Sequence, residues 1–187
     1  LENNDIEIII VTGDQDALQL VTERTTVVAP ISGYTKVKRY DADAVIEKLG
    51  VRPDQLTDYK GLRGDSSDNI KGVPGIGEKT AVKLLQQFGS VDGIYEHLEE
   101  VESEKLRELL RANEDKARLS KRIATILRKD GDFILDLSKC DVNNFKCEQV
   151  RKVFQEYSFN SLLGRLDRLA KTQNRDTVAN QNQATLF

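Results

Sequence analysis

GDSSDNIKGVPGIGEKTA, residues 64–81, is the stretch of this 187-residue chain that says most about its fold. Asp65 and Asp68 are three positions apart, so in a helical turn they would project from one face and could share a cation. Residues 72–77, GVPGIG, are typical of a hairpin because glycine tolerates tight and left-handed backbone. The segment Glu78–Phe88 then predicts a helix with one apolar face.

A glycine-rich turn that opens a helix also predicts a binding site for phosphate. The first N–H groups of a helix have no partner within the helix and point outward. Carboxylates suited to a hard metal, placed beside such a turn, indicate chemistry on phosphodiesters. The same residues fit a simpler interpretation, in which residues 65–69 are a turn and an N-cap and the glycines only connect two helices.

A second pair of carboxylates follows the first predicted strand. The apolar run Ile6–Val11 is typical of a buried parallel strand, and a helix is predicted from Ala17 onward. Asp14 and Asp16 lie between them, at the carboxyl edge of the sheet, where α/β proteins place their sites. Both could face a bound cation. Alternatively, Asp16 is the N-cap of the helix and Asp14 a turn former.

The remaining chain predicts two further strands and then helices. Strands are expected at Thr26–Pro30 and Thr35–Arg39, and an edge strand at Phe133–Leu137. Lys60 and Arg63 lie near the carboxylates in sequence and could meet phosphates, or they could be ordinary surface charges. Helices are predicted at residues 42–49, 53–62, 91–98, 103–111, 114–127, 148–157 and 161–169. Asp41 is expected to cap the first of them and Gly50 to end it. The basic residues between 115 and 130 could lie along a DNA backbone or form a solvated face. Aromatic and apolar residues near the end of the chain are predicted to be core: Phe154, Tyr157, Phe159, Leu162 and Leu163.

Composition narrows the class of protein. Lys and Arg number 28 against 31 Asp and Glu, so the net charge of −3 does not fit a simple nucleic-acid coat protein, although it is compatible with a nuclease. The two cysteines, Cys140 and Cys147, are expected to be the reduced thiols of a cytoplasmic protein. No apolar run of the sequence reaches membrane length. The chain begins at Leu1 and has no methionine, which predicts a fragment of a longer product.

Two motifs in their order resemble the 5′-nuclease family, which includes flap endonucleases and the 5′-to-3′ exonuclease domain of bacterial DNA polymerase I. Residues 12–16, TGDQD, resemble its T-G-D-x-D metal motif. Residues 64–69, GDSSDN, resemble its G-D-x-S-D-N motif, which leads into a helix–hairpin–helix variant called H3TH. The resemblance covers about residues 6–170. It implies an α/β fold: the C-terminal part of a PIN-like parallel-sheet nuclease domain (1–63), a helical H3TH subdomain (64–170) and a flexible tail or linker (171–187).

The resemblance also implies a reaction and a set of site residues. It implies hydrolysis of duplex or flap DNA and of RNA–DNA primer junctions in primer removal and DNA repair, with two Mg²⁺ or Mn²⁺ ions. The carboxylate ligands would be Asp14, Asp16, Asp65 and Asp68. A potassium ion would be held by the backbone carbonyls of Lys71, Val73 and Ile76, and DNA would be bound at Gly72, Gly75, Gly77, Lys79, Thr80 and Lys83.

Members of the family carry further acidic ligands on an earlier strand and helix, which would precede Leu1. We therefore expect this chain alone to bind DNA weakly and to be a poor nuclease or none. The alternative is a non-catalytic helix–hairpin–helix module that only grips duplex DNA.

The last five residues, QATLF, resemble the peptide by which bacterial replication proteins dock into the sliding clamp. Gln183, Leu186 and Phe187 would be its anchors. The start of a linker to another module is the alternative interpretation.

Overall fold

The computed structural model describes residues 6–32, 36–128, 135–140 and 147–169. The chain divides into two compact units, residues 1–130 and 131–187. The predicted boundaries at residues 63 and 170 stay predictions, and the proposed clamp peptide lies outside the described residues.

The first unit begins with a small mixed sheet. Its strands are β1 (Ile8–Val11), β2 (Thr25–Ser32) and β3 (Lys36–Tyr40), in the order β1-β2-β3. β1 pairs parallel with β2, from Ile8 opposite Thr25 to Val11 opposite Val28, and β2 pairs antiparallel with β3. A single 3-10 helix, Gln15–Leu20, connects β1 and β2 where a longer helix was predicted. The Asp14–Asp16 turn therefore does follow the carboxyl end of a parallel strand.

Helices make up the rest of this unit: α1 (Ala42–Leu49), α2 (Leu56–Arg63), α3 (Glu78–Phe88), α4 (Val91–Glu96), α5 (Glu104–Arg111) and α6 (Glu114–Ala124). α3 has the predicted bounds. The side chain of Asp41 caps α1, and Gly50 ends it in the left-handed conformation, also as predicted.

The core of the first unit connects the sheet to the helices. Its largest completely buried side chains come from the 3-10 helix, β2, most of the helices and the segment between α2 and α3: Leu18, Val27, Val45, Leu62, Val73, Leu85, Val91, Ile94 and Leu110. α2 packs closely against α6 at Gly61, where an added Cβ would lie 3.0 Å from the carbonyl oxygen of Ala117. This close packing holds the C-terminal end of α2, from which the site is built, against the helical part of the unit.

The second unit contains a 3-10 turn (Leu137–Lys139), α7 (Cys147–Glu156) and α8 (160–169). The predicted edge strand is wrong in its described part, because Leu137 begins the 3-10 turn. The prediction that Tyr157 and Phe159 are core is also wrong. They are 62% and 48% exposed and stack on each other, with ring centroids 6.0 Å apart, at the bend between the two helices.

Cys140 and Cys147 are free thiols. Among the residues that the structure describes, no helix has the length and apolar character to cross a membrane.

Candidate metal centre and DNA-facing hairpin

Three carboxylates from two distant parts of the chain converge in the first unit. Asp16 lies in the 3-10 helix after β1, Asp65 follows the end of α2, and Asp68 lies in the turn after it. One oxygen atom of each lies within 4.8 Å of the others. The structure thus brings together three of the four predicted metal ligands. We call Asp16, Asp65 and Asp68 the carboxylate cluster.

Asp14, the fourth predicted ligand, has a different place. Its carboxylate accepts a hydrogen bond from the backbone N–H of Asp16 at 2.9 Å and so caps the 3-10 helix. The alternative interpretation of this turn had assigned the capping role to Asp16. Asp14 is exposed and lines the same cleft, about 450 Å³ in volume, as the carboxylate cluster. Its role as a ligand stays a prediction.

The turn that carries Asp65 and Asp68 is not helical, contrary to the expectation from their spacing. Asp65 and Ile70 exchange two backbone hydrogen bonds of 2.8 Å and close a short loop. The N–H and hydroxyl of Ser67 both donate to the carboxylate of Asp65, at 3.0 and 2.5 Å. Asn69 adopts the left-handed conformation, with φ of 58°. The loop, rather than a helix face, brings Asp68 to the cluster.

Lys60 lies at the centre of the carboxylate cluster. Its ammonium nitrogen is 2.6 Å from Asp65 Oδ2 and 3.9 Å from Asp68 Oδ2, and it also contacts Asp16. The side chain is only 8% exposed. The interpretation of Lys60 as a surface charge is therefore wrong, because its side chain is buried and carboxylates surround its ammonium group. Contact between Lys60 and phosphates stays a prediction. The hydrophobic pattern of α2 gave no signal for this inward orientation.

The electrostatics of the cluster favour a cation. Two carboxylates at the cluster's largest oxygen separation, 4.8 Å, repel each other by roughly 3 kcal/mol at an effective dielectric constant of 20. Burial raises the pKa of Asp65, but hydrogen bonds from Lys60 and Ser67 outweigh it and bring the pKa to about 2. Asp65 is therefore ionised at neutral pH. The oxygen ligands of the cluster and their arrangement around a positive charge fit a hard divalent ion such as Mg²⁺ or Mn²⁺.

The hairpin 71–77 is hydrogen-bonded to the C-terminal end of α2. The N–H of Val73 donates to the carbonyl of Leu62 at 2.8 Å, and the N–H of Gly72 donates to the hydroxyl of Ser120 on α6 at 3.2 Å. Gly72 is buried and left-handed (φ 62°), and an added Cβ there would lie 2.3 Å from the backbone nitrogen of Gly64. This backbone contact fixes the hairpin against Gly64, the residue that precedes Asp65.

The predicted DNA-binding groups lie on the open side of this hairpin. Gly75 is exposed and left-handed, and Gly77 is the N-cap of α3 without a capping side chain. Lys79 is exposed, Thr80 is half-buried, and Lys83 lies 3.8 Å from the carboxylate of Glu102.

The predicted potassium ligands fall in the same hairpin. The carbonyl of Val73 accepts the N–H of Ile76 at 3.1 Å, and the side chains of both residues are buried, whereas Lys71 is exposed. Potassium binding there stays a prediction.

Comparison with known proteins identifies this combination. Residues 51–148, just over half of the chain, match the family described as 5′-3′ exonuclease, C-terminal SAM fold. This chain belongs to the 5′-3′ exonuclease family.

Relatives of this 5′-3′ exonuclease chain include bacterial DNA polymerases I. The chain is 46% identical over 165 residues to DNA polymerase I of Bacillus subtilis (strain 168), covering 88% of this chain and 19% of that protein. It is 43% identical over 166 residues to DNA polymerase I of Bacillus caldotenax, with 89% and 19% covered. The chain therefore spans about a fifth of the length of these relatives.

Solved structures show the same fold. T5 5′-exonuclease with bound zinc superimposes with a TM-score of 0.56 at 25% identity, over 63% of this chain and 42% of that one. The T5 D15 flap endonuclease, solved as a pseudo-enzyme-product complex with DNA and metal ions, gives a TM-score of 0.55 at 24% identity, over the same shares. The predicted fold class, a small α/β part followed by a helical 5′-nuclease part, is confirmed.

Two basic residues of α6, Arg118 and Lys121, form ion pairs with carboxylates of this 5′-3′ exonuclease chain. Lys121 contacts the buried carboxylate of Asp58 at 2.8 Å and that of Asp92 at 2.9 Å. Arg118 pairs with Asp92 and, at 2.8 Å, with Glu114. Asp58 also accepts the N–H of Val91 at 2.7 Å. These two cations therefore connect α6 to α2 and α4, which leaves them less available for a DNA backbone.

Proposed function

We propose that this chain is part of a structure-specific 5′-3′ exonuclease or flap endonuclease that hydrolyses phosphodiester bonds in primer removal and DNA repair. The observation that carries the proposal is the convergence of Asp16, Asp65 and Asp68 beside a glycine hairpin, whose Gly72 packs against Gly64, the residue before Asp65. Such a role belongs in the bacterial cytoplasm, at the chromosome.

The carboxylate cluster would hold one Mg²⁺ or Mn²⁺ ion, and Asp14, which lines the same cleft, is the candidate ligand for a second. Divalent ions there would supply an activated water molecule and stabilise the charge on the leaving oxygen. The chain's own part is to hold three carboxylates close together, and the low pKa of Asp65 keeps that carboxylate ionised. The zinc in the T5 5′-exonuclease structure supports a divalent ion in this fold.

The hairpin and the start of α3 would contact the DNA backbone without regard to base sequence. Gly75 and Gly77 are exposed residues whose N–H groups would suit phosphate oxygens, with Lys79, Thr80 and Lys83 beside them. A potassium ion held by the carbonyls of Lys71, Val73 and Ile76 would strengthen the same contact. The T5 D15 structure contains DNA, which supports duplex or flap DNA as the partner. The sliding clamp is a further proposed partner, through Gln183, Leu186 and Phe187.

The test is cleavage of a 5′-flap duplex at protein in excess over DNA, so that a slow reaction is visible. We expect weak cleavage that requires Mg²⁺ and is lost in Asp65→Asn, while Asp115→Asn, an exposed carboxylate at the start of α6, behaves like the wild type. Salt-sensitive DNA binding together with a Mn²⁺ affinity that Asp65→Asn leaves unchanged would favour the non-catalytic binding module.

A further inference from the structure

Lys60 holds a position that no step of the proposed reaction uses. It is a buried lysine whose ammonium group contacts all three carboxylates of the cluster. An ion held by these carboxylates would need the space between their oxygen atoms. The nitrogen of Lys60 lies against an oxygen atom of Asp16, 2.6 Å from one of Asp65 and 3.9 Å from one of Asp68, and so takes up that space. The two cations cannot both be there.

We propose that Lys60 is an exchangeable counter-ion: it keeps the carboxylate cluster assembled without metal, and it moves into the adjoining cleft when a divalent ion binds. This inference rests on the proposed metal-dependent function. It makes Lys60 a positioning residue that sets metal affinity.

Three features of the structure carry the inference. First, the carboxylates lie close enough to repel one another strongly, so an internal cation stabilises the cluster when no ion is present. Second, the cleft of about 450 Å³ is lined by Lys60 itself together with Asp16, Asp65 and Asp68, so the flexible side chain has a path outward. Third, Arg63 lines the same cleft but lies over the ring of Tyr59, so the charge held against the carboxylates is that of Lys60.

Lys60→Met tests this, because methionine approximates the length of the side chain and removes its charge. The net charge of the four groups changes from −2 to −3, and no ammonium group has to be displaced. We expect Mn²⁺, titrated by calorimetry at low ionic strength, to bind about tenfold tighter or more than to the wild type. Without metal the variant should melt at a lower temperature, and Mn²⁺ should raise its melting temperature by more than it raises that of the wild type.

Lys121→Met is the matched control. Lys121 is also a partly buried lysine between two carboxylates, those of Asp58 and Asp92, but they lie outside the cluster. Its removal should lower the melting temperature and leave the Mn²⁺ affinity unchanged.

A measurement on the wild type alone covers the case in which Lys60→Met does not fold. Lysines are acylated with an N-hydroxysuccinimide ester with and without Mn²⁺, and the modified peptides are quantified by mass spectrometry. Labelling of Lys60 relative to Lys121 should rise severalfold with Mn²⁺, because the ammonium group leaves its carboxylates.

The outcomes separate this inference from the proposed function. Equal or weaker Mn²⁺ binding by a folded Lys60→Met variant, or Lys60 labelling that Mn²⁺ does not increase, overturns the exchange of Lys60 alone. Absence of Mn²⁺ binding in both the wild type and Lys60→Met overturns the metal-dependent function, and the exchange with it.

Discussion

Gly72→Ala should lower the stability of the protein more than most glycine-to-alanine substitutions in the hairpin. Gly72 has φ of 62°, and an alanine in this left-handed region costs about 1–2 kcal/mol. Its Cβ would lie 2.3 Å from the nitrogen of Gly64 and 2.7 Å from the carbonyl oxygen of Leu62, both backbone atoms that cannot rotate away. Such overpacking costs roughly another 1–3 kcal/mol, and the stiffer unfolded chain returns less than about 1 kcal/mol. We expect a net loss of about 3 kcal/mol in the free energy of unfolding.

Two other glycines separate strain from crowding. Gly89 also has a positive φ (81°, with ψ of −41°) but has open space around its Cβ position, so Gly89→Ala should show backbone strain alone, about 2 kcal/mol. Gly77 has open space and an extended backbone, so Gly77→Ala should stay within about 0.5 kcal/mol of the wild type.

Urea unfolding followed by circular dichroism gives the three differences. The expected order of stability is Gly77→Ala, then Gly89→Ala, then Gly72→Ala. A Gly72→Ala variant within 1 kcal/mol of Gly77→Ala would refute the close backbone contact between the hairpin and the end of α2.

Three further predictions concern the ionised groups. The pKa of Asp65 is about 2, below its usual value, so the stability that its ionised form contributes should be full above about pH 4 and lost as the pH falls toward 2. The difference in urea midpoint between the wild type and Asp65→Asn should therefore disappear over that range. A difference that stays constant with pH would contradict the low pKa. Asp58→Ala leaves the N–H of Val91 and the ammonium group of Lys121 without this buried partner, so thermal or urea unfolding should show a loss of about 3 kcal/mol, whereas the exposed Asp43→Ala should change stability by less than about 1 kcal/mol. Lys79→Ala should weaken flap-DNA binding for every base sequence and reduce the slope of log affinity against log salt by about one, while the exposed Lys105→Ala on α5 leaves that slope unchanged; loss of affinity for one base sequence only would contradict the phosphate contact.

Local patterns predicted the parts of the fold that depend on neighbours in sequence. The bounds of α3 and both caps of α1 follow from apolar spacing, from Asp41 and from Gly50, whose effects act within one or two turns. The convergence of Asp16 with Asp65 and Asp68 was expected from the family resemblance. Residue spacing by itself left open whether each aspartate was a ligand or a cap.

Features that depend on three-dimensional packing could not be predicted in the same way. Spacing implied a helical turn for Asp65 and Asp68, but the Asp65–Ile70 pairing, with Asn69 left-handed, made a closed loop instead. Lys60 points inward because the C-terminal end of α2 is held against α6 at Gly61, a contact between residues more than fifty positions apart. The rings of Tyr157 and Phe159 stack on each other instead of packing in a core, and their apolar character alone does not predict this.

The most direct measurement is anomalous X-ray diffraction from a crystal of this chain grown or soaked with Mn²⁺. The account predicts a manganese peak among the carboxylate oxygens of Asp16, Asp65 and Asp68, at the base of the hairpin. Manganese bound elsewhere, with these three carboxylates free of it, would contradict the account.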